Sequence, residues 1–462
     1  MAEIATTLLV IGSGPGGYVC ALTAARAGVD VVVVEAGATG GTCLNVGCIP
    51  SKALIHAGAE AAMMRAAASG AGIPGLTLTS GPAVDLAAIM GWKDGVVGKL
   101  RGGVEGLLTR AGVRVVAGRA RFLDGKTVVV EGHEPHRIHA ETIVIATGSA
   151  PIELPGMEWS ERIISSTGAL ALTELPKRLA VVGGGYIGLE LGTAFAKLGA
   201  EVTVVEAGAR ILPRWDAALT RPVADRLKAL GVRVITGAKA AEVDDAGLRI
   251  DGPDGPETIA ADRILVTVGR RPVLEGLGVD TLGLTMAGAF LKVDARCATS
   301  MRGVFAIGDV TGEPMLAHRA MAQGEMVGAI IGGEKRVWDK RAIPEVCFTD
   351  PEIMSVGLSP SEAKAEGHEV VIGEFPFAAS GRAMTLGATA GLVRVAARAD
   401  NHLILGIQAV GAGVSELAGG AALALEMGAR LEDITDTIHA HPTMGEAVQE
   451  AALAALGGAL HL

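Results

Sequence analysis

The sequence predicts an α/β protein built on two copies of one strand–helix–strand unit, followed by an α+β domain of different texture. Three observations carry this. A short apolar strand runs into G-x-G-x-x-G, then a helical pattern, then a second strand ending in an acid, at residues 7–35 and again at 179–206. The first glycine and the terminal acid are 23 residues apart in both copies, Gly12 to Glu35 and Gly183 to Glu206. From about Ile343 the pattern becomes short strands at intervals typical of an antiparallel sheet, and this stretch has no glycine fingerprint.

Composition sets the limits. Half of the 462 residues are hydrophobic, Gly numbers 66 and aromatics make up 3%, which suits tight βα turns and helices packed closely on sheets. The length suggests about three domains. A net charge of −10 without a basic block argues against nucleic acid as a partner. Mean hydropathy is positive, yet Leu8–Ala25 contains a Gly-rich turn and Gln408–Arg430 is broken by Glu416 and Glu426. Neither is an uninterrupted apolar run of about 20 residues, so no membrane segment is expected. Glu3, with no Lys or Arg before the first apolar run, argues against a secretory signal. The expected location is cytoplasmic.

In the first unit, Thr7–Ile11 is a strand, the helix runs to about Ala27, and Val31–Val34 is a strand ending at Glu35. Gly12 allows the tight turn, Gly14 admits a pyrophosphate to the backbone and Gly17 permits close helix–strand packing. The helix N-terminus offers free N–H groups to an anion, and Glu35 can accept ribose hydroxyls. In the second unit Gly183, Gly185 and Gly188 repeat these roles, a helix runs to about Leu198, and Glu206 ends the strand. Flanked in this way, both fingerprints are specific for Rossmann-like dinucleotide-binding domains. Glu206 would bond a free 2′-hydroxyl and repel a 2′-phosphate, favouring NAD over NADP, although Arg210 lies four residues on.

Each copy closes on an apolar strand ending in glycine, IVIATG at Thr147–Gly148 and ILVTVG at Gly269. The first copy is 50 residues longer between its first glycine and this closure, and the surplus holds GGTCLNVGCIPSK. Cys43 and Cys48 stand five positions apart in it. A regular helix would separate their Cα atoms by at least ~7.5 Å, whereas a disulfide needs about 4.4–6.8 Å. If they bond, the turn through residues 45–47 must be distorted, and Gly47 is the residue that permits it. Two buried thiols are the plain alternative. A zinc half-site fits less well, since no second pair follows, and no metal is expected. With five cysteines in the whole chain, a close pair favours redox chemistry.

Residues 151–176 read as a connector, and RRP after Gly269 breaks structure. The apolar run Val304–Ile307 ends at Asp309, which suits either a surface turn or contact with a cofactor's hydroxyls. Near the end, HAHPTMGE places Glu446 five residues after His441. His441 is either a cap or core histidine, or a base oriented by Glu446. The expected divisions are residues 1–149, 150–275, 276–342 and 343–462.

The order GSGPGG, GGTCLNVGCIPSK, ATG, GGGYIGLE, VGRRP, FAIGD, MLAH and IHAHPTMGE resembles the dihydrolipoamide dehydrogenases of the flavin disulfide reductase family. The likeness spans nearly the whole chain. DNHLILG and the final segments look most like the version serving branched-chain 2-oxoacid dehydrogenase complexes. The resemblance implies an FAD-binding first domain, an NAD-binding second, a central region completing the FAD site and a C-terminal dimerisation domain. Gly12, Gly14, Gly17, Glu35, Gly41, Thr42, Lys52, Ala120, Thr147, Gly148, Asp309 and Ala317 would hold FAD, with Lys52 paired to Glu190. Gly183, Gly185, Gly188, Glu206 and Gly269 would hold NAD. Cys43 and Cys48 would form the redox disulfide, and His441 with Glu446 the base, shared across a homodimer. The implied partner is the lipoyl-bearing acyltransferase core of a 2-oxoacid dehydrogenase complex. Two residues depart from the family pattern: Gly445, where a polar residue is common, and Tyr186, where a small aliphatic is common. Glutathione- or mercuric-reductase-like chemistry is the alternative, but no second cysteine pair and few basic residues near Glu206 accompany it.

Overall fold

The computed structural model describes residues 2–461. Its first sheet has seven strands. Arg114–Ala117, Val31–Glu35, Ala2–Ile11 and His136–Ile145 lie parallel at its centre, and Thr127–Glu131 and Arg119–Phe122 extend it antiparallel. The central strands are continuous apolar runs, as in VVVVE, because both faces are buried, one under the helices Pro15–Arg26, Leu86–Arg110 and Ala317–Ile331 and the other under the antiparallel strands and residues 277–310. The seventh strand, Val304–Ala306, pairs in parallel with Ile143–Ile145, so residues 276–342 add to the first sheet. Their helix, Ala317–Ile331, packs on the first fingerprint helix, Pro15–Arg26, at backbone contact. A Cβ on Gly324 would stand 2.2 Å from the Gly16 carbonyl oxygen, and one on Gly328 would stand 2.7 Å from that of Cys20.

The second sheet has five parallel strands in the order Arg233–Thr236, Glu201–Glu206, Arg178–Val182, Arg263–Val266, Ile163–Ile164. The last lies in the stretch read as a connector. Two residues are too few to show a period, and the pairing of Ile163 with Ile264 is what makes them a strand. A separate antiparallel meander, Lys239–Asp244, Gly247–Gly252 and Gly255–Ile259, sits beside this sheet. The two units are joined by a ribbon in which Ser149–Pro151 runs antiparallel to Arg270–Pro272.

The C-terminal sheet is antiparallel, in the order Glu345–Cys347, Glu352–Gly357, Ile404–Gly411, Leu392–Arg398, Val370–Pro376. The sequence pattern predicts strands at 346–348, 353–357, 369–375, 391–397 and 404–410, and each coincides with one of these to within a residue. The helix Glu446–Ala455 descends onto Gly373, whose Cβ would meet the Ala451 carbonyl oxygen at 1.9 Å. Buried Arg394 ties this sheet to the second unit, bonding Asp216 and, at 2.6 Å, Glu374. Among the described residues no helix is long and apolar enough to cross a membrane.

Candidate active site

The two fingerprints agree atom by atom. The turn glycines Gly12 and Gly183 have φ of +101° and +104°. A Cβ on either would strike the strand that closes its unit, at Ala146 or Thr267. A Cβ on Gly17 or Gly188 would meet the carbonyl oxygen of its own turn glycine at 1.9 Å or 2.3 Å. The middle glycines differ from these, because Gly14 has only Gly41 Cα at 3.9 Å and Gly185 has nothing within 4 Å. The space a side chain would fill is therefore open in front of each helix N-terminus, and neither helix has a side-chain cap. That cradle fits a pyrophosphate.

The strand-end acids match too. Glu35 accepts from the Ser13 N–H at 2.7 Å and the Gly37 N–H at 2.8 Å. Glu206 accepts from the Gly184 and Gly208 N–H groups, each at 2.6 Å. Both carboxylates are thus fixed facing the glycine turn. Arg210 points elsewhere, donating to the carbonyls of Trp215 and, at 2.7 Å, Pro213. Its guanidinium is committed to its own loop, which leaves the Glu206 charge unopposed there.

A cavity of about 670 Å³ opens in front of the first fingerprint. Every residue predicted to hold FAD lines it, from Gly12, Gly14, Gly17 and Glu35 through Gly41, Thr42, Lys52, Ala120, Thr147 and Gly148 to Asp309 and Ala317. Cys43, Cys48 and Glu190 line it as well. Its volume and open cradle fit a flavin dinucleotide. Asp309 sits in the short turn Gly308–Thr311 in the cavity wall, where it accepts from the Ser149 hydroxyl. Gly183, Gly185, Gly188, Glu206 and Gly269 lie outside the cavity, grouped at the ends of the second sheet's strands. Tyr186 and Ile187, at the start of the second fingerprint helix, do line it, so the two nucleotide sites adjoin.

The redox segment is two helices, Gly41–Val46 and Cys48–Ser69, broken at Gly47 with φ −137° and ψ −112°. A regular helix would hold the sulfurs apart, and this break brings them together. A Cβ on Gly47 would meet the Thr42 carbonyl oxygen at 2.9 Å and Cys43 Cα at 3.2 Å, so only glycine fits. Asn45 anchors the first helix by donating to the Thr39 and Gly41 carbonyls at 3.0 Å and 2.9 Å. Within the cavity wall a hydrogen bond between the two sulfurs couples Cys43 to Cys48. That bond pulls Cys48 down to about 7, with burial opposing and the Lys52 ammonium assisting. The same bond, together with burial, holds the Cys43 proton well above the ordinary thiol range. The pair is asymmetric: one sulfur ionises readily and the other keeps its proton.

Lys52, one turn beyond Cys48, donates to Glu190 Oε2 at 2.7 Å. Glu190 is buried on the second fingerprint helix, and its other oxygen accepts from the Phe348 N–H at 2.9 Å. Phe348, Ser149 and Arg270 were not foreseen as site residues. Arg270 donates to the Ser149 hydroxyl at 2.8 Å and to its carbonyl at 2.6 Å, joining the ribbon between the units to Asp309. In the sequence RRP signals only a break. Burial pushes the Tyr186 hydroxyl up to about 12, so this departure from the family pattern is a neutral phenol in the cavity wall.

His441 and Glu446 come together but away from the cavity. His441 Nδ1 bonds Glu446 Oε1 at 2.8 Å, and Glu446 Oε2 accepts from the Thr443 N–H at 2.7 Å. Burial works against ionisation of Glu446, yet the Thr443 N–H and His441 outweigh it and hold the carboxyl below the usual range. The His441 side chain is 80% exposed, which excludes a core histidine. The backbone of Thr443, not a side chain at position 445, supports this pair. His439 bonds the Ile434 carbonyl at 3.2 Å and belongs to its own loop.

Residues 6–324 match the pyridine nucleotide-disulphide oxidoreductase family and residues 343–452 match its dimerisation domain. The dihydrolipoyl dehydrogenase of Pseudomonas aeruginosa is 56% identical over 460 residues, covering 99% of both chains. That of Geobacillus stearothermophilus is 45% identical, covering 99% of this chain and 98% of its own. The crystal structure of LpdA from Mycobacterium tuberculosis has a TM-score of 0.88 at 27% identity, over 96% of this chain and 99% of that one. The chain belongs to the pyridine nucleotide-disulphide oxidoreductases and, within them, to the dihydrolipoyl dehydrogenases, enzymes that work with FAD and NAD.

Proposed function

We propose that the chain oxidises protein-bound dihydrolipoamide to lipoamide and reduces NAD, with Cys43 exchanging with substrate and Cys48 facing the flavin. The observation that carries this is the Cys43–Cys48 pair, brought together at the Gly47 break beside the Lys52–Glu190 ion pair in the wall of the flavin-sized cavity. The glycines of the first fingerprint, Glu35, Lys52, Thr147, Asp309 and the other cavity residues named above hold FAD. Glu206 and the glycines of the second fingerprint hold NAD. Held there, FAD would supply an acceptor for the dithiol's electron pair and a hydride donor toward NAD.

The residues' own steps follow from thiol chemistry. The reacting species is a thiolate, and a free thiol near pH 7 is only slightly ionised. His441, oriented by Glu446 through Nδ1, takes a proton from one substrate thiol. The resulting thiolate attacks Cys43 of the Cys43–Cys48 disulfide, and Cys48 leaves as a thiolate beside Lys52. The second substrate thiol attacks the sulfur bound to Cys43. This releases lipoamide and returns Cys43 as the thiol whose proton is firmly held. The substrate dithiol has become a disulfide, its two protons rest on His441 and Cys43, and Cys48 is left as the thiolate.

The exposed His441–Glu446 pair lies off its own chain's cavity and within the region matching the dimerisation domain. In this reading a homodimer completes each site with the partner's His441. The substrate is the lipoyl group of an acyltransferase core in a 2-oxoacid dehydrogenase complex, in a cytoplasmic setting, and the branched-chain complex is the version its sequence most resembles. Turnover of free dihydrolipoamide with NAD tests the reaction, and pull-down by a lipoyl-bearing core protein tests the complex. A purified FAD-loaded protein that binds NAD but leaves dihydrolipoamide unoxidised overturns the proposal.

A further inference from the structure

Lys52 is held from two sides. Glu190 takes its ammonium at 2.7 Å, and the Phe348 ring lies against it with the nitrogen 4.4 Å from the ring centroid. The N–H of the same Phe348 bonds the other Glu190 oxygen at 2.9 Å. Phe348 follows the edge strand Glu345–Cys347 of the C-terminal sheet, and its loop is fixed to the helix that carries Glu190. Thr349 is buried and bonds the Pro351 carbonyl at 2.8 Å. Asp350 pairs with Lys197 and with Arg226, each at 2.8 Å. Glu190 and Lys197 both belong to the helix Tyr186–Leu198. The loop therefore grips that helix at two points while its ring rests on Lys52.

A cation over an aromatic face is attracted by the ring's quadrupole, so the ring restricts where the ammonium swings. We infer that Phe348 is a positioning residue of the redox centre: its ring holds the Lys52 ammonium beside Cys48, so the C-terminal domain sets how firmly the Cys48 thiolate is stabilised in its own chain. This rests on the reading of Cys48 as the thiol facing the flavin. Cys43, Lys52, Glu190 and Tyr186 are the titratable groups that act on or feel Cys48. Lys52 is the cation among them, so its placement decides how much its charge offsets Glu190. Its side chain is one-third exposed, which calls for the lower part of the cation–π range and a shift of at most about 0.4–0.7 pH unit.

The test uses FAD-loaded protein carrying Cys43→Ser, in which the Cys48 thiolate gives a long-wavelength band against the flavin without reductant. The band is titrated with pH. Adding Phe348→Leu keeps the N–H bond to Glu190 and removes the ring, and should raise the midpoint by up to about 0.4–0.7 unit. Phe348→Tyr keeps a π-face and should restore the parent midpoint. An unchanged midpoint in Phe348→Leu, with normal FAD content and thermal stability, overturns the inference. If the leucine protein folds poorly, phenylalanines of increasing fluorination at 348 decide the matter, since they keep the shape and weaken the quadrupole. A midpoint rising stepwise with fluorination supports the inference, and a flat series overturns it. Absence of the band in the Cys43→Ser parent with FAD bound would instead sink the assignment of Cys48, and the role of Phe348 would fall with it.

Discussion

A hydrogen bond between two sulfurs is the smallest feature on which the chemistry turns. That bond and the nearby Lys52 ammonium favour Cys48 as the thiolate and leave Cys43 the proton, so the two thiols are not interchangeable. Cys48→Ser should abolish the long-wavelength band that appears on two-electron reduction, while Cys43→Ser should show a thiolate–flavin band without reductant. Wild-type spectra and turnover in both variants would refute the redox pair. The pH dependence has a definite sign. Folded Cys48 titrates near 7 and an ordinary thiol near 9, so its stabilisation of the reduced protein is complete above about 9. It is lost as pH falls through about 7, and denaturant unfolding of the reduced protein between those values measures it. His441→Gln should keep FAD and fold yet lower dihydrolipoamide–NAD turnover by about 10²-fold or more. Transfer from NADH to an acceptor that takes electrons from the flavin needs no thiol deprotonation and should change far less. His439→Gln, whose ring is engaged by the Ile434 carbonyl, is the control, and equal losses at both histidines would point to structural damage. At the second nucleotide site, Glu206→Gln should narrow the NAD:NADP ratio of kcat/KM by at least about tenfold by removing like-charge repulsion. Arg210→Ala should leave that ratio alone, since its guanidinium already serves Pro213 and Trp215.

Among elements, the contact between the helices Pro15–Arg26 and Ala317–Ile331 controls the shape of the FAD cavity. Gly16 and Ala320 both line it, and the helices approach closely enough that a Cβ on Gly324 would overlap the Gly16 carbonyl. Gly324→Ala must push the helices apart, at a cost of about 1–3 kcal/mol. The fingerprint turn shifts with them, so a lower Tm should come with a lower FAD content in the purified protein. A variant with wild-type Tm and full FAD would show that the contact is slack. Nothing in the local sequence AQGEMVGAII marks this glycine, because its need is created by a helix some 300 residues earlier.

For the whole molecule, the decisive question is which chain supplies the base. His441 is exposed and absent from its own chain's cavity, so the reading above requires it to act on the partner. Mixed dimers give a clean answer. One subunit carrying Cys48→Ser and the other His441→Gln leave one site with both an intact cysteine pair and an intact base if the base acts in trans. Such dimers should recover about half of wild-type turnover per dimer on that count, although each homodimeric variant is nearly inactive. Turnover no greater than that of the parent variants would place the base in cis.

The sequence by itself determined the repeated units, both nucleotide fingerprints, the redox segment, the five strands of the final sheet and the His441–Glu446 spacing. These are properties of local periodicity and of residues a few positions apart, where a turn, a helix start or a strand end leaves its mark on neighbouring letters. Gly47 shows how far that reaches, since chain geometry called for a distorted turn there if the two cysteines bond, and the backbone breaks at that residue. Tertiary structure decided the rest. Ile163–Ile164 is a strand only because Ile264 and Leu265 lie beside it. Residues 276–342 joined the first sheet through Val304–Ala306. Asp309 was a surface turn or a cofactor contact by position alone, and Ser149 and Arg270 hold its turn in the cavity wall. Phe348 reached Lys52 and Glu190 across nearly 300 and 160 residues of chain. In each case a group's role depended on what packed against it from a distant part of the chain, and local spacing carries no record of that.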